Sequence, residues 1–261
     1  MVENNLKSIL NHRYFIQLSY KGTHYHGWQI QPNAKSVQEI INNALTTLFR
    51  YEIKTTGAGR TDTGVHARMF VAHFDFAETL DKSKDKILRS LNAILPEDIA
   101  VTDLYEVIPD AHARFSAIER TYEYTLLQRK DPFQVELGWF YPYNLNMEQM
   151  NKAGELLLNY SDFTCFSKLH SDVKTNICNL VHARWTNEPD KLIFRITADR
   201  FLRNMVRAIV GTMIDVGRGR NNLENVKMII ESKNRRNAGV SVPACGLVLT
   251  NIKYPVDIML I

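Results

Sequence analysis

The chain has 261 residues, 45% hydrophobic and 23% charged, with a formal net charge of +4 and a pI near 8.9. This length and balance exclude a disordered tail and a disulfide-dense miniature scaffold, and they allow one large or two modest domains, each with its own core. No apolar stretch approaches the roughly 20 residues of a membrane-spanning helix. Cys165, Cys178 and Cys245 form no C-x-x-C pair and read as reduced thiols of a cytoplasmic protein rather than as a metal site.

Residues 1–12 read as a polar lead-in without the apolar run of a signal peptide. Residues 14–20 alternate with the period of a half-buried strand, placing Tyr14, Ile16, Leu18 and Tyr20 on one face. A helix follows. Val37, Ile40, Ile41, Ala44, Leu45, Leu48 and Phe49 form its apolar stripe, and Ser36 with Glu39 has the spacing of a capping box. Strands are predicted over 52–56 and 69–76, then a helix over 84–95 stopped by Pro96, then a strand over 99–107. The second half repeats the order: a strand over 121–127, a helix over 147–159 capped by Asn146, and strands over 178–186 and 191–198. A helix over 201–216, a short extra helix over 223–231 and a strand over 247–253 complete it. Two β-α-β-β-α-β units predict an α+β protein of two ferredoxin-like halves, 13–112 and 113–261, divided within the charged, strand-poor stretch 109–119.

Between the second and third predicted strands lies Gly57-Ala58-Gly59-Arg60-Thr61-Asp62-Thr63-Gly64-Val65-His66-Ala67, too polar and glycine-rich for core. Taken alone it fits a tight Asx-type turn, and its spacing matches neither a dinucleotide fingerprint nor a Walker loop. Downstream, Arg200, Arg203, Arg207, Arg218, Arg220, Lys227, Lys233, Arg235 and Arg236 are opposed only by Asp215, Glu224 and Glu231. That run suits either a solvated face or a phosphate-contacting surface, and Gly217 and Gly219 between the arginines favour the second.

The loop resembles the G-R-T-D-x-G-V-H-A signature of the TruA-type tRNA pseudouridine synthases. Three further segments are similar to that family: the stretch from Tyr20 to Gln29, His112-Ala113-Arg114-Phe115-Ser116-Ala117 with Arg120-Thr121-Tyr122-Glu123-Tyr124, and the stretch from Phe201 to Gly211. The resemblance implies that two sheets fuse around a central cleft, and that uridines 38, 39 and 40 of the tRNA anticodon stem-loop are isomerised. It further implies a homodimer and no cofactor or metal. It assigns Asp62 as the essential carboxylate, Arg207 as its cationic partner, and Tyr122 as the ring stacked on the target uracil, and guanidinium geometry predicts that Arg207 forks onto Asp62 with two parallel hydrogen bonds. Arg60 is expected beside the extruded base or an RNA phosphate, and the basic run puts Arg203, Arg218 and Arg220 forward as RNA contacts. His66 and Trp28 are expected to be structural, and Lys21, His24 and His26 to reach either RNA phosphate or solvent. The chain departs from the family pattern at Lys21, at Met69-Phe70 and at Arg200. Rival expectations are a catalytically silent RNA-binding module on the same fold and a nucleotide-binding enzyme using residues 57–64.

Overall fold

Helix α1 (Val37–Phe49) shows how the core is organised. Val37, Ile41, Ala44 and Leu45 are buried, while Ile40, Leu48 and Phe49 pack partly buried against the same cluster, so the predicted stripe faces inward. The Ser36 hydroxyl accepts from the Glu39 N–H at 3.3 Å, and Arg50 ends the helix in a left-handed conformation. Only the Ser36 arm of the expected capping box is formed. A reciprocal box occurs instead at α5 (Leu223–Glu231), between Asn222 and Asn225.

A computed structural model describes residues 12–77, 79–80, 84–168 and 175–260. Residues 1–11 of the predicted lead-in lie outside the described residues, and His12 already belongs to a strand. The strands are β1 (His12–Tyr20), β2 (Thr56–Gly57), β3 (His66–Phe76), β4 (Ile99–Val107), β5 (Glu119–Leu127), β6 (Trp139–Phe140), β7 (Leu180–Glu188), β8 (Lys191–Ala198) and β9 (Leu247–Lys253). The remaining helices are α2 (Lys84–Ile94), α3 (Met147–Leu157) and α4 (Met205–Gly217). The fold is thus mixed α/β around one large sheet, in the order β4-β1-β3-β9-β5-β8-β7, with β2 added to β3 and β6 to β5. The path is antiparallel except at its centre. There β3 and β9 run parallel, His66 opposite Val248 and Ala67 opposite Leu249.

Two apolar clusters flank that central pairing. One holds β1, α1, β3, α2 and β4, and the other holds β5, α3, β7, β8, α4 and α5. Chain order and cluster are not the same division. Leu249, Ile252, Tyr254 and Ile258 pack in the first cluster, and Val65 in the second. Phe15, expected on the solvent side of β1, is fully buried because Tyr254 of the closing segment covers it edge-on, ring centroids 5.1 Å apart.

Two predicted elements differ for identifiable reasons. The strand expected over 52–56 shrinks to Thr56–Gly57, because side chains of α1 take the backbone groups a ladder would use. Thr46 Oγ1 accepts from the Ile53 N–H (3.1 Å), Asn42 Oδ1 from the Thr55 N–H (3.0 Å), and Gln38 Nε2 donates to the Thr55 carbonyl (2.7 Å). The helix expected from 201 starts at Met205, because Asn204 adopts a left-handed backbone (φ +66°) that a right-handed helix cannot include. The strand expected over 178–186 runs instead over Leu180–Glu188, directly into the Pro189-Asp190 turn.

His73 supplies a pH dependence. Its Nδ1 accepts the Ala113 N–H (3.1 Å), and burial together with Arg13 and the His112 ring pushes its pKa down from 6.5 to about 4, against the opposing pull of Asp75. The neutral ring is favoured in the fold, so this stabilisation is complete above pH 6.5 and is lost as pH falls towards 4. The urea midpoint is expected to drop across that window. His73→Asn, which keeps an acceptor near the Nδ1 position but does not titrate, should flatten the drop in equilibrium unfolding monitored by circular dichroism.

Candidate active site

The loop carrying Asp62 is fixed from both sides. Beneath it, the Tyr20 hydroxyl bonds Thr61 Oγ1 at 2.9 Å, both groups buried. The Val65 N–H bonds the Asp62 carbonyl (3.1 Å) and the Gly64 N–H the Tyr25 carbonyl (3.3 Å). Gly27 passes close against the loop. It has φ +85°, and a Cβ there would lie 2.1 Å from the Thr61 carbonyl oxygen, so only glycine fits. Trp28 is buried and stacked on Phe70 at 4.1 Å. One departure from the family pattern, Phe70, is therefore core packing beneath the loop.

His66 ties the loop to the far side of the sheet. Its Nδ1 accepts the Gly22 N–H (2.9 Å), which leaves Nε2 to donate to the Cys245 carbonyl (3.2 Å). Burial holds its pKa below the usual range, in keeping with a neutral ring. Lys21, a second departure, is paired with Glu136 across the same junction, and His24 and His26 are exposed.

Asp62 is one-quarter exposed and meets two arginines from the other cluster. Arg203 Nε lies 3.4 Å from Oδ1, and Arg207 Nη1 lies 3.9 Å from Oδ2. The second distance is an ion pair rather than a hydrogen bond, so the expected two-bond fork is not formed. The reason is local: Arg207 Nε is engaged with the Val242 carbonyl (2.6 Å), and the Val242 N–H returns a bond to the Arg207 carbonyl (3.3 Å). Arg207 thereby anchors the strap leading into β9. Arg203 stands just before the left-handed Asn204, outside the helix, and is 59% exposed against 21% for Arg207. Arg207 is thus the less screened partner.

Tyr122 sits on β5 opposite Leu249 and Ile196, with its ring edge-on to Phe201 at 5.2 Å. Burial pushes its hydroxyl up to about 12, partly offset by Arg120 and reinforced by the charge of Asp62. At neutral pH it is a phenol, able to donate a proton in a hydrogen bond and poorly suited to accept one. Tyr124, on the same strand, is core, and its hydroxyl donates to the Pro243 carbonyl (2.8 Å).

Arg120, to which sequence reasoning gave no role, organises the junction. Nη1 donates to the carbonyls of Ala117 (2.8 Å) and Asp199 (2.7 Å), and Nη2 to those of Ala58 (3.4 Å) and Arg114. The available signal was an arginine beginning an otherwise apolar-alternating strand. The predicted basic surface divides. Arg60 is exposed and makes no hydrogen bond or ion pair to the described residues. Arg218 lies over the Tyr143 ring (5.0 Å) and Arg220 beside Asp215 (3.3 Å), at the far end of α4, roughly 16 Å along the axis from Arg207. Arg235 is consumed internally on the carbonyl of Gly239 (3.1 Å) and on Ser241 Oγ (2.8 Å), and Lys233 pairs with Asp162. The cluster is therefore partly scaffold.

A family model described as tRNA pseudouridine synthase matches residues 17–116 and 156–255. Relatives called tRNA pseudouridine synthase A are similar over nearly their whole length. The one from Bacteroides fragilis is 53% identical over 94% of this chain and 98% of its own, and the one from Parabacteroides distasonis 51% identical over 94% and 97%. The one from Clostridium acetobutylicum is 39% identical over 92% and 98%.

The electrostatics of Tyr122 can be read without any turnover. Its side-chain 13C resonance, assigned by loss in Tyr122→Phe, should show no deprotonation below about pH 11. Asp62→Asn should lower the midpoint by removing the neighbouring negative charge, whereas Arg120→Gln should raise it. A Tyr122 midpoint near 10, unmoved by Asp62→Asn, would contradict the burial and proximity described here.

Proposed function

The chain belongs to the tRNA pseudouridine synthase family, and on that premise we propose that Asp62 is the carboxylate on which its isomerisation of uridine in tRNA turns. The observation carrying this reading is Asp62 itself, held on a braced loop and met by two guanidiniums from the opposite cluster. The reaction breaks the bond between ribose C1′ and uracil N1, turns the base, and joins C1′ to C5. C5 loses a proton, N1 gains one, and the product is an isomer, so no oxidant or energy source is consumed. Attack on the ribose, attack on the base and removal of a ribose proton all require the ionised carboxylate.

Arg207 is the positioning partner of Asp62 in this reading. Tyr122 stacks on the displaced uracil and offers its hydroxyl as a donor, while Arg60 and Arg203 take the phosphates beside it. Arg218 and Arg220 meet a more distant stretch of the same backbone. We further read residues 13–112 and 113–261 as two ferredoxin-like halves. The reading rests on the strand orders β4-β1-β3-β2 and β9-β5-β8-β7, in each of which the half's fourth, first, third and second strands lie side by side. The substrate positions are uridines 38, 39 and 40 of the anticodon stem-loop, and the working form is a cytoplasmic homodimer. These rest on the family resemblance. No helix among the described residues is long and apolar enough to cross a membrane.

Asp62→Asn and Asp62→Ala are expected to abolish pseudouridine formation, measured by mapping the modified base in tRNA, while tRNA affinity changes little. Turnover by purified Asp62→Ala would remove Asp62 from the chemistry.

The two arginines should separate by burial. Arg207→Met is expected to lower kcat/KM about ten- to a hundredfold, with Arg207→Lys between it and wild type because lysine keeps the charge but has no Nε for Val242. Arg203→Met should cost no more than about fivefold, as befits an exposed pair. The reverse ranking would make Arg203 the functional partner.

A further inference from the structure

The segment joining β4 to β5 is bonded inward almost throughout. The Ala111 N–H bonds the Ile108 carbonyl (2.9 Å), and the Ala113 carbonyl accepts from the Tyr254 hydroxyl (2.6 Å). His112 and Ser116 close on each other through two bonds of 2.9 Å, and His112 Nδ1 also accepts the Arg114 N–H (3.1 Å). Arg120 holds the carbonyls of Arg114 and Ala117. Ala113 is completely buried.

From this rigid frame Phe115 stands 75% exposed. The Arg114 guanidinium lies 5.5 Å from its ring centroid and the His112 ring 4.4 Å away. A fixed backbone that holds an aromatic ring in water forgoes its burial, and an exposed ring backed by a cation offers a π-face to a planar partner. The position is specific as well. Nη2 of Arg120 donates both to the Arg114 carbonyl and to the Ala58 carbonyl, fastening this segment to the loop that carries Arg60 and Asp62. Phe133 is more exposed, at 93%, but among the described residues no cation lies over its ring as Arg114 does over Phe115.

We propose that Phe115 and Arg114 form a stacking subsite for an unpaired nucleotide of the substrate RNA, next to the one that reaches Asp62. The ring takes the face of the base, and the guanidinium takes the neighbouring phosphate. This subsite rests on the assignment of tRNA as substrate.

The full-length protein, with Asp62→Asn to prevent turnover, is titrated with an anticodon stem-loop RNA carrying 2-aminopurine at one loop position at a time. Phe115→Ala should weaken binding about tenfold and abolish the fluorescence quenching at one position, and Phe115→Trp should restore both. Arg114→Gln should weaken binding and reduce the slope of log affinity against log salt by about one. Phe115→Ala within about twofold of the parent, with quenching unchanged, overturns the proposal. So does a Phe115→Ala variant that alters only the sedimentation coefficient, because the ring then contacts protein. Turnover of unlabelled tRNA by the wild-type protein reads the isomerase assignment separately. Binding that depends on Phe115 without any pseudouridine would leave the subsite standing and the isomerase reading refuted.

Discussion

A parallel ladder only two residues long, between β3 and β9, is the constraint on which the site depends. Asp62 precedes β3 in the first cluster, and Arg203 and Arg207 belong to the second. They meet because the two clusters share a sheet at this point. Such a short ladder is weak by itself, and the polar contacts around it supply what it lacks. His66 spans it from the Gly22 N–H to the Cys245 carbonyl, Lys21 pairs with Glu136 across it, and Arg120 gathers four carbonyls from both sides. A guanidinium has five donors in a fixed plane, so one side chain can fix several chain segments at once. Burial lowers the pKa of Arg120, yet the group remains charged at any physiological pH, and the carbonyls it holds compensate for lost water.

Much of this was legible in the sequence. The α1 stripe, the strands at 99–107, 191–198 and 247–253 and the short helix at 223–231 follow from periodicity and punctuation, and the structure reproduces their bounds. The shortened β2 was not legible, because residues 52–55 do look like a strand. What removes them from the ladder is a set of polar side chains on α1, Gln38, Asn42 and Thr46, whose partners lie 7 to 17 residues away. The late start of α4 depends on the Asn204 backbone turning left-handed, a conformation asparagine tolerates but does not announce.

The site was legible in part for the same reason. The glycine-rich string marks Asp62, and the helix string marks Arg203 and Arg207, but only the fold shows that Arg207 has divided its guanidinium between a carboxylate and the Val242 carbonyl. Counting basic residues also overstates the surface. Arg235 is spent on the strap over α4, a tight fit in which a Cβ on Gly211 would lie 1.9 Å from the Val240 carbonyl oxygen. Charge composition records how many cations a segment has, not how many remain unspent.

The two arginines on Asp62 differ in a way that fits the chemistry. Arg207 is mostly buried, rooted in a helix and fixed at Nε, so its position is set before any ligand arrives. Arg203 is mostly exposed, springs from irregular backbone and makes a solvent-screened contact whose rearrangement costs little. A carboxylate with one fixed and one adjustable cation keeps its placement while one side of its surroundings changes. In the proposed reading, that combination lets the base leave the sugar, turn and return without the carboxylate moving. On the same reading, the neutral Tyr122 phenol would be a flat wall that presents no opposing charge to the turning base.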